Sequence, residues 1–146
     1  MHRTNDRASE ALNKKILVVD DSPDDRTIFG SLLSHFGFDV IVAEDGLDGV
    51  RVAQAEKPAL ILMDIMMPIM SGFSATRMLR EMRDLADTPV VGISHYDPTP
   101  EELARSGFTE FVHKTFEPES LLSIVRRHLD LGSEALALDS GPPIPA

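Results

Sequence analysis

Five short apolar runs rich in β-branched side chains punctuate the chain: "KILVVD" (15–20), "FDVIVA" (38–43), "ALILMD" (59–64), "PVVGIS" (89–94) and "FTEFVHK" (108–114). Each has the length of a strand, and a segment with helical periodicity follows each one. This alternation constrains the fold more than any other feature, because strand, helix and parallel strand close as a right-handed crossover. Five such units predict a doubly wound α/β domain with five parallel strands and five helices. The first, third and fourth runs are almost continuously apolar, as strands covered on both faces are.

The helices carry their own punctuation. Ser22 is a suitable N-cap with Pro23 at the first helical position; Ile28, Phe29, Leu32, Leu33 and Phe36 share a face, and Gly37 stops the helix. A second helix over about 46–56 turns Val50 and Ala53 inward and ends before Lys57-Pro58. A third, about 73–85, starts near Ser71 or Gly72 and buries Met78, Leu79 and Met82. The fourth is short, about 100–106, and the fifth, about 117–131, turns Leu121, Leu122, Ile124, Val125 and Leu129 inward. The domain is therefore expected over 15–131, with a flexible extension at 1–14 and a flexible, proline-containing tail at 132–146.

With 146 residues, the chain suits one domain. No apolar stretch approaches the ~20 residues that span a bilayer, residues 1–14 lack the apolar centre of a secretory signal, and there is no cysteine. A cytoplasmic protein with no membrane association is expected. A net charge of −10 argues against nucleic acid, whose phosphates bind Lys and Arg. Cations and basic protein surfaces suit it better.

In open α/β sheets ligands bind beyond the carboxyl ends of the strands. Asp20-Asp21, Asp64, Ser94 and Lys114 close the first, third, fourth and fifth runs, so a parallel sheet brings them to one edge. Carboxylates converging in a poorly solvated cleft repel each other by several kcal/mol, on the order of the Coulomb estimate. Mg²⁺ uses such a cleft, taking one or two carboxylates and a phosphoryl oxygen. The set has the parts for phosphoryl transfer. Asp64 is the candidate nucleophile, giving an aspartyl phosphate; Asp20 and Asp21 would hold the metal, Ser94 would hydrogen-bond a phosphoryl oxygen and Lys114 would neutralise another. Taken singly, an acidic pair after a strand is commonly helix N-terminal acid, Asp64 could cap a turn, and a lone Lys is commonly a surface residue. Their joint placement carries the argument.

On "ILVVDDSPDDR", "ILMDIMMPIMSG", "PVVGIS" and "FVHKTF", in that order over about residues 15–130, the sequence resembles the receiver domains of bacterial two-component response regulators. The resemblance implies a flavodoxin-like strand order 2-1-3-4-5 and a phosphoprotein phosphorylated on Asp64. The phosphodonor would be a sensor histidine kinase, a histidine phosphotransfer protein or a small molecule. It implies Mg²⁺ held by Asp20, Asp21, Asp64 and the Met66 backbone carbonyl, with Ser94 and Phe111 as switch residues. Phosphorylation would remodel the face made by the fourth helix, fifth strand and fifth helix, towards a downstream protein target or a homodimer, as a population shift. The domain would catalyse only its own phosphorylation and dephosphorylation. With no output domain expected after Leu131, signalling would run through protein contact or onward phosphate transfer.

Some positions depart from the family's pattern. Thr115 follows Lys114 where Pro with a cis bond is usual, and a non-proline cis bond costs ~2.5–4 kcal/mol, which favours trans here. His95 stands where a small residue is usual, Ile69 and Ser71 replace the usual Gly and Asp, and the segment between Ser94 and Lys114 is about two residues short. Bulky Met66 and Tyr96 imply slow attack by water. Two alternatives are a degenerate receiver acting as a phosphorylation-independent docking module and a Mg²⁺-dependent aspartyl phosphatase. The second needs an acid two residues past the nucleophile, where Met66 stands. A dinucleotide module is excluded because "DDSPDD" would repel pyrophosphate.

Overall fold

The computed structural model describes residues 14–115 and 117–129; the expected tail, and the expected extension apart from Lys14, lie outside the described residues. The elements run β1 (Lys15–Val19), α1 (Pro23–His35), β2 (Asp39–Ala43), α2 (Gly46–Glu56), β3 (Leu60–Asp64), α3 (Gly72–Arg80), β4 (Val90–Ser94), α4 (Pro100–Ser106), β5 (Glu110–His113) and α5 (Pro118–His128). The strands form one parallel sheet in the order β2-β1-β3-β4-β5. That is the expected doubly wound topology. β5 begins at Glu110 rather than 108: the Phe108 N–H donates to Ser106 Oγ and the Val90 N–H to Thr109 Oγ1, so these two amides are diverted from the backbone ladder.

Alternate strand side chains feed two cores. On one face Ile16, Val18, Leu60, Leu62, Val91 and Ile93 meet Phe29 and Leu33 of α1 and Leu121, Leu122 and Val125 of α5. On the other, Leu17, Val19, Ile61 and Met63 meet Val50 and Ala53 of α2 and Ala75 and Leu79 of α3. Burying a side chain of this size stabilises by ~1.5–3 kcal/mol. The continuously apolar strands β3 and β4 are buried at every residue, whereas the edge strands β2 and β5 are only partly covered.

Three expectations are corrected. Ile28 is 59% exposed, because the inward stripe of α1 is Phe29, Leu32, Leu33 and Phe36, and Ile28 sits about 100° outside its first member. α3 stops at Arg80 rather than near 85; a 3₁₀ turn covers Arg83–Leu85, and Met82 between them is extended. Met78, within the helix, and Met82, beyond it, are partly buried at the margin of the core, and only Leu79 of the expected trio is fully buried. α5 ends at His128, with Ile124 and Leu129 packed at the core's edge rather than within it.

Candidate functional site

β1 delivers Asp20 and β3 ends on Asp64, side by side at the carboxyl edge of the sheet. Asp20 and Asp64 are buried and Asp21 is exposed, and one carboxylate oxygen from each lies within 4.8 Å of those of the other two. Asp20 is fixed on both sides: the Ser22 N–H donates to its Oδ1 at 3.0 Å, and the Arg26 guanidinium donates to its carbonyl at 2.8 Å. Ser22 also caps α1, its Oγ accepting from the Asp25 N–H. The turn after Asp64 needs Gly72, where a Cβ would come within 2.2 Å of the Asp64 carbonyl oxygen.

Lys114 joins the group from the end of β5, its side chain only 8% exposed. Its Nζ lies 2.7 Å from Asp25 Oδ2, 2.9 Å from Asp20 Oδ2 and 3.6 Å from Asp64 Oδ2. Burial works to lower the Lys114 pKa, but close contact with Asp20 and Asp25 and the charge of Asp64 outweigh it, and the ammonium is held well above its ordinary value. Asp64 goes the other way. Burial first, and then repulsion from Asp20, push its carboxyl up to about 7, with Lys114 and the Met66 backbone N–H pulling against them. One ammonium does not neutralise this many carboxylates.

That imbalance bears on cation binding. Asp20 Oδ2 is buried and no donor meets it with hydrogen-bonding geometry; the Lys114 contact is an ion pair. A buried carboxylate oxygen held only by an ion pair, beside two further carboxylates, is a donor set that fits a hard, oxygen-seeking cation such as Mg²⁺. Asp20, Asp21 and Asp64 supply the side-chain oxygens for it. Met66 exposes its side chain and turns its amide towards Asp64.

Ser94 ends β4, buried, one residue beyond Ile93, the register partner of Asp64. The Tyr96 N–H donates to Ser94 Oγ at 3.1 Å, which leaves the hydroxyl proton free to donate elsewhere. The Tyr96 hydroxyl is itself committed to Glu102 of α4 at 2.9 Å, and Glu102 closes a capping box with Thr99. Phe111 lies half-buried on β5 opposite Gly92.

The departures from the family's pattern have local consequences. Among the described residues no peptide bond is cis, so Lys114-Thr115 is trans. His113 bridges two of the departures: one ring nitrogen lies 3.1 Å from Thr115 Oγ1 and the other 3.0 Å from the His95 carbonyl. This clasp ties the loop after β4 to the end of β5. Ile69 is fully exposed at a φ of 70°, a left-handed conformation unusual for a β-branched residue. Ser71 caps α3, its Oγ accepting from Ser74.

Every expected side chain of the site except Phe111 thus lies along one edge of the sheet, and two residues escaped the sequence reading. Asp25 carried no reading from the sequence, because its reach to Lys114 depends on the docking of α1. His113 read as a strand residue and carried no separate signal.

Comparison with known proteins identifies the family. The family model for the response regulator receiver domain matches residues 16–126. The chain is 36% identical over 113 residues to the protein PilH of Pseudomonas aeruginosa, covering 76% of this chain and 93% of that one. Among solved structures it is similar to the chemotaxis protein CheY4 of Vibrio cholerae, with a TM-score of 0.73 and 32% identity over 77% of this chain and 96% of that one. It is also similar to the receiver domain of the sensor histidine kinase PA1611 from Pseudomonas aeruginosa, which holds a magnesium ion in its active-site cleft. There the TM-score is 0.75 and the identity 28%, over 81% of this chain and 98% of that one.

Proposed function

Since this chain belongs to the response regulator receiver family of two-component signalling, we propose that it is a phosphorylation switch whose phosphoacceptor is Asp64. The observation that carries the reading is the convergence of Asp20, Asp21 and Asp64 within 4.8 Å, with Lys114 bridging Asp20 and Asp64.

An Asp64 carboxylate oxygen attacks the phosphorus of a phosphohistidine or a small phosphoramidate. The new P–O bond forms as the P–N bond breaks, and the departing nitrogen keeps the electron pair and takes up a proton. Lys114 moves from its carboxylate partners to a phosphoryl oxygen, and the free Ser94 proton donates to another. Mg²⁺ held by Asp20, Asp21, Asp64 and the Met66 carbonyl would supply the remaining charge neutralisation. Drawing Ser94 Oγ towards the phosphoryl group takes it from the Tyr96 N–H, and the Tyr96–Glu102 hydrogen bond carries that displacement to α4. Phe111 on β5 then repacks. The readout is a protein partner at the α4, β5 and α5 face, in the cytoplasm, with the phosphoryl group arriving from a histidine kinase or phosphotransfer protein.

Incubation with phosphoramidate and Mg²⁺ is expected to add the mass of one phosphoryl group, and Asp64→Asn abolishes the gain. Absence of any gain, with candidate kinases included, contradicts the switch and favours a docking module.

A further inference from the structure

Lys114 has more partners than its part in phosphoryl transfer requires. Its Nζ is nearer to Asp25, at 2.7 Å, than to Asp20, at 2.9 Å, and farthest from Asp64, at 3.6 Å. Asp25 stands in the first turn of α1, where its backbone N–H is pinned by the Ser22 cap and its side chain stays 30% exposed. It takes no place in the carboxylate cluster that fits a cation. We propose that Asp25 is a positioning residue that tethers Lys114 in the resting state and competes with the incoming phosphoryl group for its ammonium.

The inference rests on the reading of Asp64 as phosphoacceptor. A lysine can give its short, charge-assisted hydrogen bonds to a phosphoryl oxygen only by loosening those it already makes. The Asp20 contact belongs to the cluster, and Asp20 is immobilised by Ser22 and Arg26. Asp25 is different: it is partly solvated and can accept water when Lys114 leaves. It therefore sets how readily the lysine turns towards a phosphodonor without supplying any atom to the reaction. Removing the tether strengthens capture of the donor's phosphoryl oxygens and leaves the transfer step on Asp64 as it was.

The test is the initial rate of phosphorylation against phosphoramidate concentration, at saturating Mg²⁺, for the whole protein and for Asp25→Asn, Asp25→Ala, Asp25→Glu and Asp24→Asn. Asp24 shares the first turn of α1 but is exposed and serves as the control for helix charge. The tether predicts KM lower by about three- to tenfold in Asp25→Asn and Asp25→Ala, the range for losing one part-exposed charged hydrogen bond, with kcat changed less than about twofold. Asp25→Glu keeps a carboxylate within reach and returns KM towards the starting value. Circular dichroism establishes that each variant is folded, and the two truncations guard against failure of either one. Unchanged KM in both folded truncations, or an equal change in Asp24→Asn, overturns the tether while leaving the switch intact. An unmodified protein that accepts no phosphoryl group overturns both, so the two failures are told apart.

Discussion

At the scale of single residues, the candidate site is a problem in charge. Burial and Asp20 raise the Asp64 pKa from 3.8 to about 7, so without a cation the folded protein keeps a proton on Asp64 where the unfolded chain has lost it. The folded state then binds the extra proton between those two values. This group's cost to stability is absent below about pH 4 and complete above about pH 7, at about 1.4 kcal/mol per pH unit between. Asp64→Asn is therefore expected to stabilise the protein by about 2–4 kcal/mol at pH 8 in chelator and by little at pH 4. Denaturant unfolding at both pH values checks it, and equal effects at the two would refute the assignment of the burden to Asp64. At this scale Asp20, Asp21, Asp64, Ser94 and Lys114 were legible because each ends a strand or follows one within two residues, and parallel strand ends converge. Asp25 and His113 were not, because their partners are set by how a helix and a loop dock.

At the scale of elements, the informative case is α3. Periodicity carried the helix on to about residue 85, since Met82 and Leu85 continue its apolar spacing, but the chain leaves it after Arg80. The Arg80 guanidinium donates to the carbonyls of Leu85, Ala86, Thr88 and Gly107 and to Thr109 Oγ1. One side chain thus caps the 3₁₀ turn and ties it to the segment before β5 by pairing with backbone carbonyls of both. Nothing in local spacing announces a contact with residues 85–88 and 107–109 together. Arg80→Ala is expected to destabilise by about 2–4 kcal/mol, with Arg80→Lys restoring only part because an ammonium lacks the planar fork. Chemical denaturation measures both, and a loss under about 0.5 kcal/mol would place Arg80 among ordinary surface residues. Ile28 teaches the same lesson in reverse, since its apolar character suggested a buried position, yet docking of α1 through Phe29 and Leu33 leaves it outside.

At the scale of the whole molecule, alternation of strand and helix was enough to read the doubly wound sheet, and with it the edge that carries the candidate site, before any contact was known. What alternation could not supply was how strongly the folded state depends on its edge. A protein with a net charge of −10 that gathers three carboxylates at one point should gain global stability from a divalent cation binding there. Mg²⁺ at about 100 times its dissociation constant is expected to stabilise folding by about 2.7 kcal/mol. Its binding displaces the Asp64 proton, so the gain shrinks as pH falls below about 7. Thermal unfolding with and without Mg²⁺ measures it, and Asp21→Ala should reduce the rise in Tm; an unaltered rise would move the ion elsewhere. The central claim concerns one carboxylate. After incubation with phosphoramidate and Mg²⁺, borohydride reduction converts an aspartyl phosphate to homoserine, and peptide mass mapping locates it. The account predicts homoserine at position 64 alone; homoserine at 20, 21 or 25 instead, or none at all in a folded, Mg²⁺-loaded protein, would contradict it.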